Sequence, residues 1–587
     1  MDFNSYIVST VIFAPLLGAL ILAFIPSTEK GQLKVATLFT MLVTFGLSLW
    51  MYFDFQTGPK ALEFQLMQKN VWVEHFGLAY SVGIDGVSAT LMLLTGFLGP
   101  IVMLAAWNNA GERAKEFCVA LLVLQTSMMG TFAAMDVVLF YVFWEGVLIP
   151  MYLLIGIFGS ENRIYASVKF FLFTMVGSML MLVAIIYVYL KTGDASGMGR
   201  SFEYDKMLFA AQHLTETEQL YLFIAFASAF AVKVPMWPLH TWLPDAHTEA
   251  PAAGSIVLAG VMLKMGTFGF MRYAMPMFPE ATKQAAPWIG ILAVIGIVYG
   301  SLMCLAQRDM KRLVAYSSVA HLGFVMLGLA ALNTQASAGA VYQMVNHGVS
   351  TGALFLLIGA IYERRHTRLI AEYGGLAKVT PLLGIAFLVI TFSSIGLPGT
   401  NGFIGEFMIL SGTFTQGRIF GHTIFTGLQL SWVWLAAIAA TGVILGAAYM
   451  LTLVQRVWFG PLRNPRNQGL ADMSWREGFA VVPLVLAALG MGIFPQPFLD
   501  RINPAAEIFS RRSAGEALAL NATAESPAEP EAGPVHPLPA GPVRPRPMPA
   551  PSGGGLHLGQ PGPGARPVVV PNPHVLVPAP GAKPAQR

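Results

Sequence analysis

Charge is what this chain has least of. Only 11% of its 587 residues are Asp, Glu, Lys or Arg, against about a quarter in a typical soluble domain, while 55% are hydrophobic. So few charges cannot clothe a soluble core, and the composition specifies a polytopic membrane protein. Cysteine is nearly missing too. Cys118 and Cys304 both lie in or beside apolar runs, which excludes a disulfide framework and a thiolate cluster for zinc or iron–sulfur; both read as packing residues. The formal net charge of +4 is too small to argue for nucleic-acid binding. No strand-borne GxGxxG loop is present, so no nucleotide cradle is implied. The start, MDFNSYIVST, lacks a basic n-region and a clear small-residue cleavage site, so the first apolar run reads as a retained helix.

What the chain has in quantity is long apolar runs. About fourteen are long enough to cross a bilayer. They begin near Tyr6, Leu33, Asp85, Phe117, Asp136, Tyr165, Gln219, Pro251, Pro287, Lys311, Ser337, Pro381, Leu430 and Gly478. Helix is the state expected of them, because an open strand cannot satisfy its backbone in lipid. Loops after odd-numbered runs are the richer in Lys and Arg, with Arg308, Lys311, Arg312, Arg364, Arg365 and Arg368 among them. The positive-inside rule therefore places the N-terminus, and with an even number of spans the C-terminus, on the periplasmic side. Residues 1–512 form the expected transmembrane domain. From Ser513 the text turns proline-, alanine- and glycine-rich, as in PAEPEAGPVHPLPAGPVRPRPMPAPSGGG, and residues 513–587 are expected to be a disordered tail of extended character.

Most spans carry no charge inside, so the exceptions carry information. Glu145 lies near the middle of VVLFYVFWEGVLIPMYLLIGIF, and an intramembrane carboxylate is a functional candidate by default. Lys233 lies deep in its run, closely followed by Pro235 and Pro238. A proline removes a backbone donor and clashes with the preceding turn, so the span must bend or unwind there, and irregular backbone is tolerated only where it lines protein or a wet cavity. Lys264 repeats the buried cation one helix later. Glu406, in SSIGLPGTNGFIGEFMIL, again follows a proline and glycines. These interruptions fall in the seventh and twelfth spans. An odd displacement of five inverts orientation, so the expected fold is all-α with two inverted five-helix repeats, helices 4–8 and 9–13, each containing a proline-broken helix.

Two histidines extend the set. His321 has Ser317 one turn before it, and His347 shares a face with Gln343, Ser350 and Thr351, which makes both candidates for a proton relay as well as for satisfied core positions. His240, Asp245, His247 and Glu249 look superficially like metal ligands, but Pro244 and Pro251 break any helix that would align them and no metal is expected. Asp85 and Asp136 stand at the starts of runs, where N-capping explains them. Lys169 is expected to snorkel toward the Arg163 end of its span.

The stretches FYVFWEGVLIPMYLLIGIFG, PLHTWLPDAHTEAPAAGSIVLAGVMLKMGTFGF and SSIGLPGTNGFIGEF resemble the chain M family of the proton-pumping NADH:quinone oxidoreductase, respiratory complex I, whose mitochondrial counterpart is subunit 4. The likeness runs from the first span to about the fourteenth. It implies Glu145 and Lys233 as a coupled pair, Lys264 as the central relay, Glu406 as the exit residue, and His240, His321 and His347 along a hydrated path. It also implies a subunit of a proton translocase with no redox catalysis of its own. NADH, FMN, iron–sulfur clusters and quinone would be held by partner subunits, and the other membrane-arm chains, including sister antiporter-like chains, would be its neighbours in a bacterial inner membrane. A cation/proton antiporter subunit of the same fold is the alternative. The proline-rich tail departs from the pattern, since relatives usually end soon after the last helix.

Overall fold

The computed structural model describes residues 6–108, 111–196, 199–416 and 431–516. Helices α1 (Ile7–Phe24) and α2 (Lys30–Asp54) are followed by a hairpin, β1 (Gln65–Val73) and β2 (Leu78–Ile84), and then by α3 (Gly86–Ala105) and α4 (Ala114–Ala133). The next span is split into α5 (Val137–Gly146) and α6 (Leu148–Phe158); α7 (Arg163–Ser196) leads to the short α8 (Tyr204–Gln212). Helices α9 (Glu216–Lys233) and α10 (Trp242–Glu249) are the halves of one broken span. Then come α11 (Ala252–Met277), α12 (Pro279–Leu305), α13 (Met310–Ala330) and α14 (Thr334–Arg365). Helices α15 (Pro381–Ser394) and α16 (Asn401–Thr415) are the second broken pair, and α17 (Trp432–Val457), α18 (Trp475–Ile493) and α19 (Gln496–Ser513) close the described chain.

Twelve helices among the described residues are long and apolar enough to cross a membrane. With the two broken spans they reproduce the count expected from the sequence. The hairpin was not expected. Its antiparallel ladder pairs Gln65 with Ile84 and Val73 with Leu78, and it buries β2 while leaving most of β1 exposed. Nor was α19, whose Ile502, Ala505, Ala506 and Phe509 form one buried face at helical spacing on an otherwise polar helix. The proline-rich tail lies outside the described residues, apart from the last turn of α19 and the few residues after it.

Helix starts follow capping chemistry. Asp85 Oδ1 accepts from Ser88 N at 2.8 Å, and Asp136 Oδ1 accepts from Val138 N and Leu139 N at 2.9 and 3.0 Å, as expected of N-caps. Thr215 with Glu218, and Ser474 with Glu477, close reciprocal capping boxes at α9 and α18.

Burial divides the helices into an inner and an outer layer. The apolar stretches of α11 and α13 are 100% buried and that of α14 94%, whereas those of α2 and α18 are only 33% and 28% buried. Helices covered all round form the axis of the bundle, and the outer ones turn Phe39, Phe53, Phe479 and Leu486 outward, as a hydrocarbon solvent allows. Cys118 and Cys304 are both free and buried, in keeping with packing roles.

Candidate functional site

The site is made where helices fail. In the first broken span Pro235 has no N–H for Ala231, and Met236 N reaches back instead to Ala231 O at 3.0 Å. The carbonyl of Val232 is taken by the Trp242 indole Nε1 at 2.8 Å. The backbone groups freed by the proline are thus satisfied inside the bundle, and Lys233 is left at the last turn of α9. In the second broken span Leu397 N bonds to Phe392 O at 3.0 Å, and Gly396 adopts φ +71°, a conformation glycine reaches without strain. A Cβ there would stand 2.8 Å from Glu406 Oε2, so glycine also makes room for the carboxylate. Helix α11 is irregular in another way, with π-helical turns at Leu258–Met262 and Phe270–Ala274. Such turns misalign the carbonyl ladder, and Lys264 Nζ donates to Ala259 O, five residues back.

Four expected residues come together in one chain. Lys264 Nζ lies 2.6 Å from His347 Nδ1. The His347 and His321 rings meet edge-on with centroids 5.9 Å apart, and His321 Nδ1 is 3.2 Å from Glu406 Oε1. Gln343 Nε2 donates to the same carboxylate oxygen at 3.2 Å, and Ser394 Oγ stands 3.4 Å from His321 Nε2. Beside this chain is a small cavity lined by both histidines, Gln343, Asn346, Ser350 and Thr351, with room for about one water molecule. The polar face expected around His347 is therefore real, and it extends to Asn346, whose Nδ2 donates to Asn401 O at 2.7 Å.

Glu145 and Lys233, the expected coupled pair, make no direct salt bridge, although the carboxylate is near enough to act on the ammonium through space. Lys233 Nζ sits 3.8 Å above the centre of the Trp144 ring and 3.5 Å from Trp144 O. Glu145 lies at the junction of α5 and α6, half-buried, with Oε1 shielded and unpartnered. The junction has a local cause: Pro150 cannot donate to Gly146, one turn earlier. His240 packs against Tyr299, ring centroids 5.2 Å apart, and its Nδ1 has no partner.

Other expectations change. Lys169 has a partner besides any that snorkelling would give it: its Nζ pairs with Asp245 Oδ2 at 2.7 Å, because the short α10 brings a carboxylate beside it. Asp85 is more than a cap, since its Oδ2 is 2.6 Å from Arg272 Nη2. Glu249 caps the turn before α7, its Oε2 accepting from Asn162 N at 3.0 Å. His247, first considered only beside metal ligands, is fully buried, stacked on Phe355 at 4.6 Å, with neither ring nitrogen partnered. Its place one helix before Lys264, in a short stretch with Asp245 and Glu249, is the signal in the sequence that marks it as a further proton-carrying candidate.

An all-helical membrane bundle with two broken spans and a buried chain of lysine, histidine and glutamate defines the antiporter-like class of membrane subunits. The family model described as the NADH:quinone oxidoreductase/Mrp antiporter transmembrane region matches residues 134–431, and that described as the NADH-ubiquinone oxidoreductase chain 4 amino terminus matches residues 12–131. The chain belongs to the NADH:quinone oxidoreductase subunit M, or chain 4, family, and so is a multi-pass subunit of that enzyme. It is 44% identical over 507 residues to NADH-quinone oxidoreductase subunit M of Rhodobacter capsulatus, covering 85% of this chain and 95% of the relative. It is 41% identical to NADH-ubiquinone oxidoreductase chain 4 of Arabidopsis thaliana, covering 84% and 94%. A chain of respiratory complex I from Thermus thermophilus superposes with TM-score 0.75 at 32% identity, covering 86% of this chain and 99% of that one. A chain of the Mrp complex from Dietzia superposes with TM-score 0.73 at 17% identity, covering 88% and 100%, and shares the fold. Family membership favours the oxidoreductase subunit over the free-standing antiporter.

Proposed function

We propose that this subunit moves protons across the membrane through Lys233, Lys264, His347, His321 and Glu406, driven by electron transfer in partner subunits. The observation that carries the proposal is the pair of polar contacts Lys264–His347 and His321–Glu406, brought together by the edge-on meeting of the two histidine rings inside an otherwise apolar bundle. Intramembrane ionisable groups are costly to keep, and a chain of them that needs water only at the step between His347 and His321 gives a proton a way to hop. Lys264 hands its proton to His347 Nδ1, the small cavity carries it past His321, and Glu406 receives it. Unpartnered atoms at His347 Nε2, Asn346 Oδ1 and Asn401 Nδ2 are places where water completes the path.

In the first half, Glu145 is the switch. A lysine beside a carboxylate keeps its proton, and one left alone in a low-dielectric interior gives it up. Movement at the break between α9 and α10 would change the separation of Lys233 from Glu145, with His240 and His247 lying between Lys233 and Lys264 along the chain. NADH, FMN, iron–sulfur clusters and quinone are held by partner subunits, and sister antiporter-like chains flank this one in the membrane arm. The setting is a bacterial inner membrane with both termini periplasmic, as the distribution of basic loops indicates.

The test is NADH-driven quinone reduction and proton uptake in membrane vesicles carrying Glu145→Ala or Glu406→Gln, with assembly checked on a native gel. Assembled complex with collapsed coupled activity supports the path. Normal rates and normal pumping in both variants would make the two carboxylates structural and remove the path's two ends.

A further inference from the structure

Eight residues beyond Lys264 on α11, about 12 Å along the helix, is a second buried cation. Arg272 is 8% exposed and sits in the second π-helical turn. Its Nη2 pairs with Asp85 Oδ2 at 2.6 Å and donates to Ser88 Oγ at 3.2 Å. Its guanidinium is roofed by aromatic rings, 4.7 Å from the centre of Phe64, 5.1 Å from Phe268 and 6.0 Å from Tyr204. Phe268 in turn meets Phe132 edge-on at 5.3 Å, and both are 1% exposed. The helix segment between the two cations therefore lacks the polar chain that leads from Lys264 toward Glu406. Its one polar side chain, Thr267, bonds to Lys264 O and Met344 Sδ, and beyond Phe268 it is closed by the ion pair of Arg272 with Asp85.

We propose that Arg272, held by Asp85 and the surrounding rings, is a seal that stops a proton on Lys264 from escaping straight along α11 to the membrane face at the C-terminal end of that helix, so that it leaves through His347 and Glu406. The reading rests on Lys264 belonging to the proton path. A guanidinium is always charged and gives up no proton, so Arg272, held in its ion pair with Asp85, interrupts any relay along this side of α11. Asp85 and Ser88 fix its position, and the capping bond from Asp85 to Ser88 N ties the whole group to the first turn of α3. Removing one partner alone would leave a buried charge unpaired, so the informative change neutralises both.

The experiment uses the assembled complex in sealed vesicles. A pH gradient is imposed without NADH, and its decay is followed with a pH-sensitive dye. The double variant Asp85→Asn/Arg272→Gln keeps hydrogen-bonding shape and deletes both charges; it is expected to speed the decay several-fold and to lower the protons moved per NADH. Arg272→Lys, which keeps the charge, is expected to decay as slowly as the parent. Unchanged decay in an assembled double variant overturns the seal and leaves Arg272 as a structural staple. If the double variant does not assemble, Phe268→Ala decides: it lets water reach the guanidinium, and a decay no faster than the parent's overturns the proposal equally. Adding Lys264→Ala separates this idea from the path it rests on. A leak that disappears with Lys264 supports both. A leak that persists leaves Arg272 closing a passage that does not involve Lys264, and so overturns the seal as stated. Lost pumping in Lys264→Ala together with no leak in the Arg272 variants keeps the path and removes the seal.

Discussion

The two halves of the bundle use the same backbone device and fill it differently. Each has a span broken by proline beside a buried charge. Around Lys233 the filling is aromatic: Trp144 lies beneath the ammonium, Phe230 meets Trp144 at 5.2 Å, and Phe140 stands 5.6 Å from Trp144 and 4.1 Å from Tyr273. Around Glu406 it is polar, with His321 and Gln343 both at 3.2 Å and Asn346 behind them. A proton cannot cross rings, so the first half passes charge only when something moves. Polar contact is already made in the second half. On the proposed path, the difference would put gating in the first half and conduction in the second.

The largest effect should come from the residue the halves share. Lys264→Ala removes the donor to His347 and is expected to cut coupled activity by about a hundredfold, measured as NADH-driven proton uptake per assembled complex. Next in size is a contrast of carboxylates. Glu406→Asp withdraws the oxygen by roughly one bond length, breaks both 3.2 Å contacts and is expected to slow pumping about tenfold, while Glu145→Asp, which has no such contact to lose, slows it about twofold. A greater loss at Glu145 than at Glu406 would reverse the assignment of gate and conductor.

A smaller change is expected at the aromatic floor. Trp144→Leu deletes the cation–π contact, a loss of about 1 to 2 kcal/mol for a desolvated pair, and should lower the coupled rate more than Trp144→Phe does. The smallest lies outside the bundle. Burial alone would raise the Glu203 carboxyl, but Lys69 at 2.8 Å and Lys206 at 3.3 Å outweigh it and hold the group below the usual carboxylate range. A lowered folded value means that the contribution is present above the ordinary carboxylate range, near pH 4 to 5, and is lost as pH falls through the lowered value. Protection of the amides in residues 65–84, taken relative to the intrinsic exchange rate at each pH, should hold from neutral pH down to about pH 5 and fall below it, and Glu203→Gln should remove that dependence.

Much of this was legible in the residues. The spans, both breaks, the caps at Asp85 and Asp136 and the buried charges could be read because lipid punishes every exception to apolar helix, so each exception stands out. The hairpin was not legible, since a short half-exposed ladder has no long run to mark it. The partner of Lys169 was not legible, because Asp245 sits 76 positions away. The burial of His247 was not legible, because its polar neighbours Asp245, Thr248 and Glu249 do not say which face of the short α10 the ring occupies.

The sequence by itself determined the membrane class, the number of spans, the places where helices break and the list of charged residues buried with them, because each depends on chain-local cost in a solvent without water. Only the tertiary structure decided who meets whom. Lys264 touches His347, Lys233 rests on Trp144 and not on Glu145, and Asp85 holds Arg272, because helices far apart in the chain share one crowded axis where a contact of a few ångströms depends on rotation and register that no single helix contains.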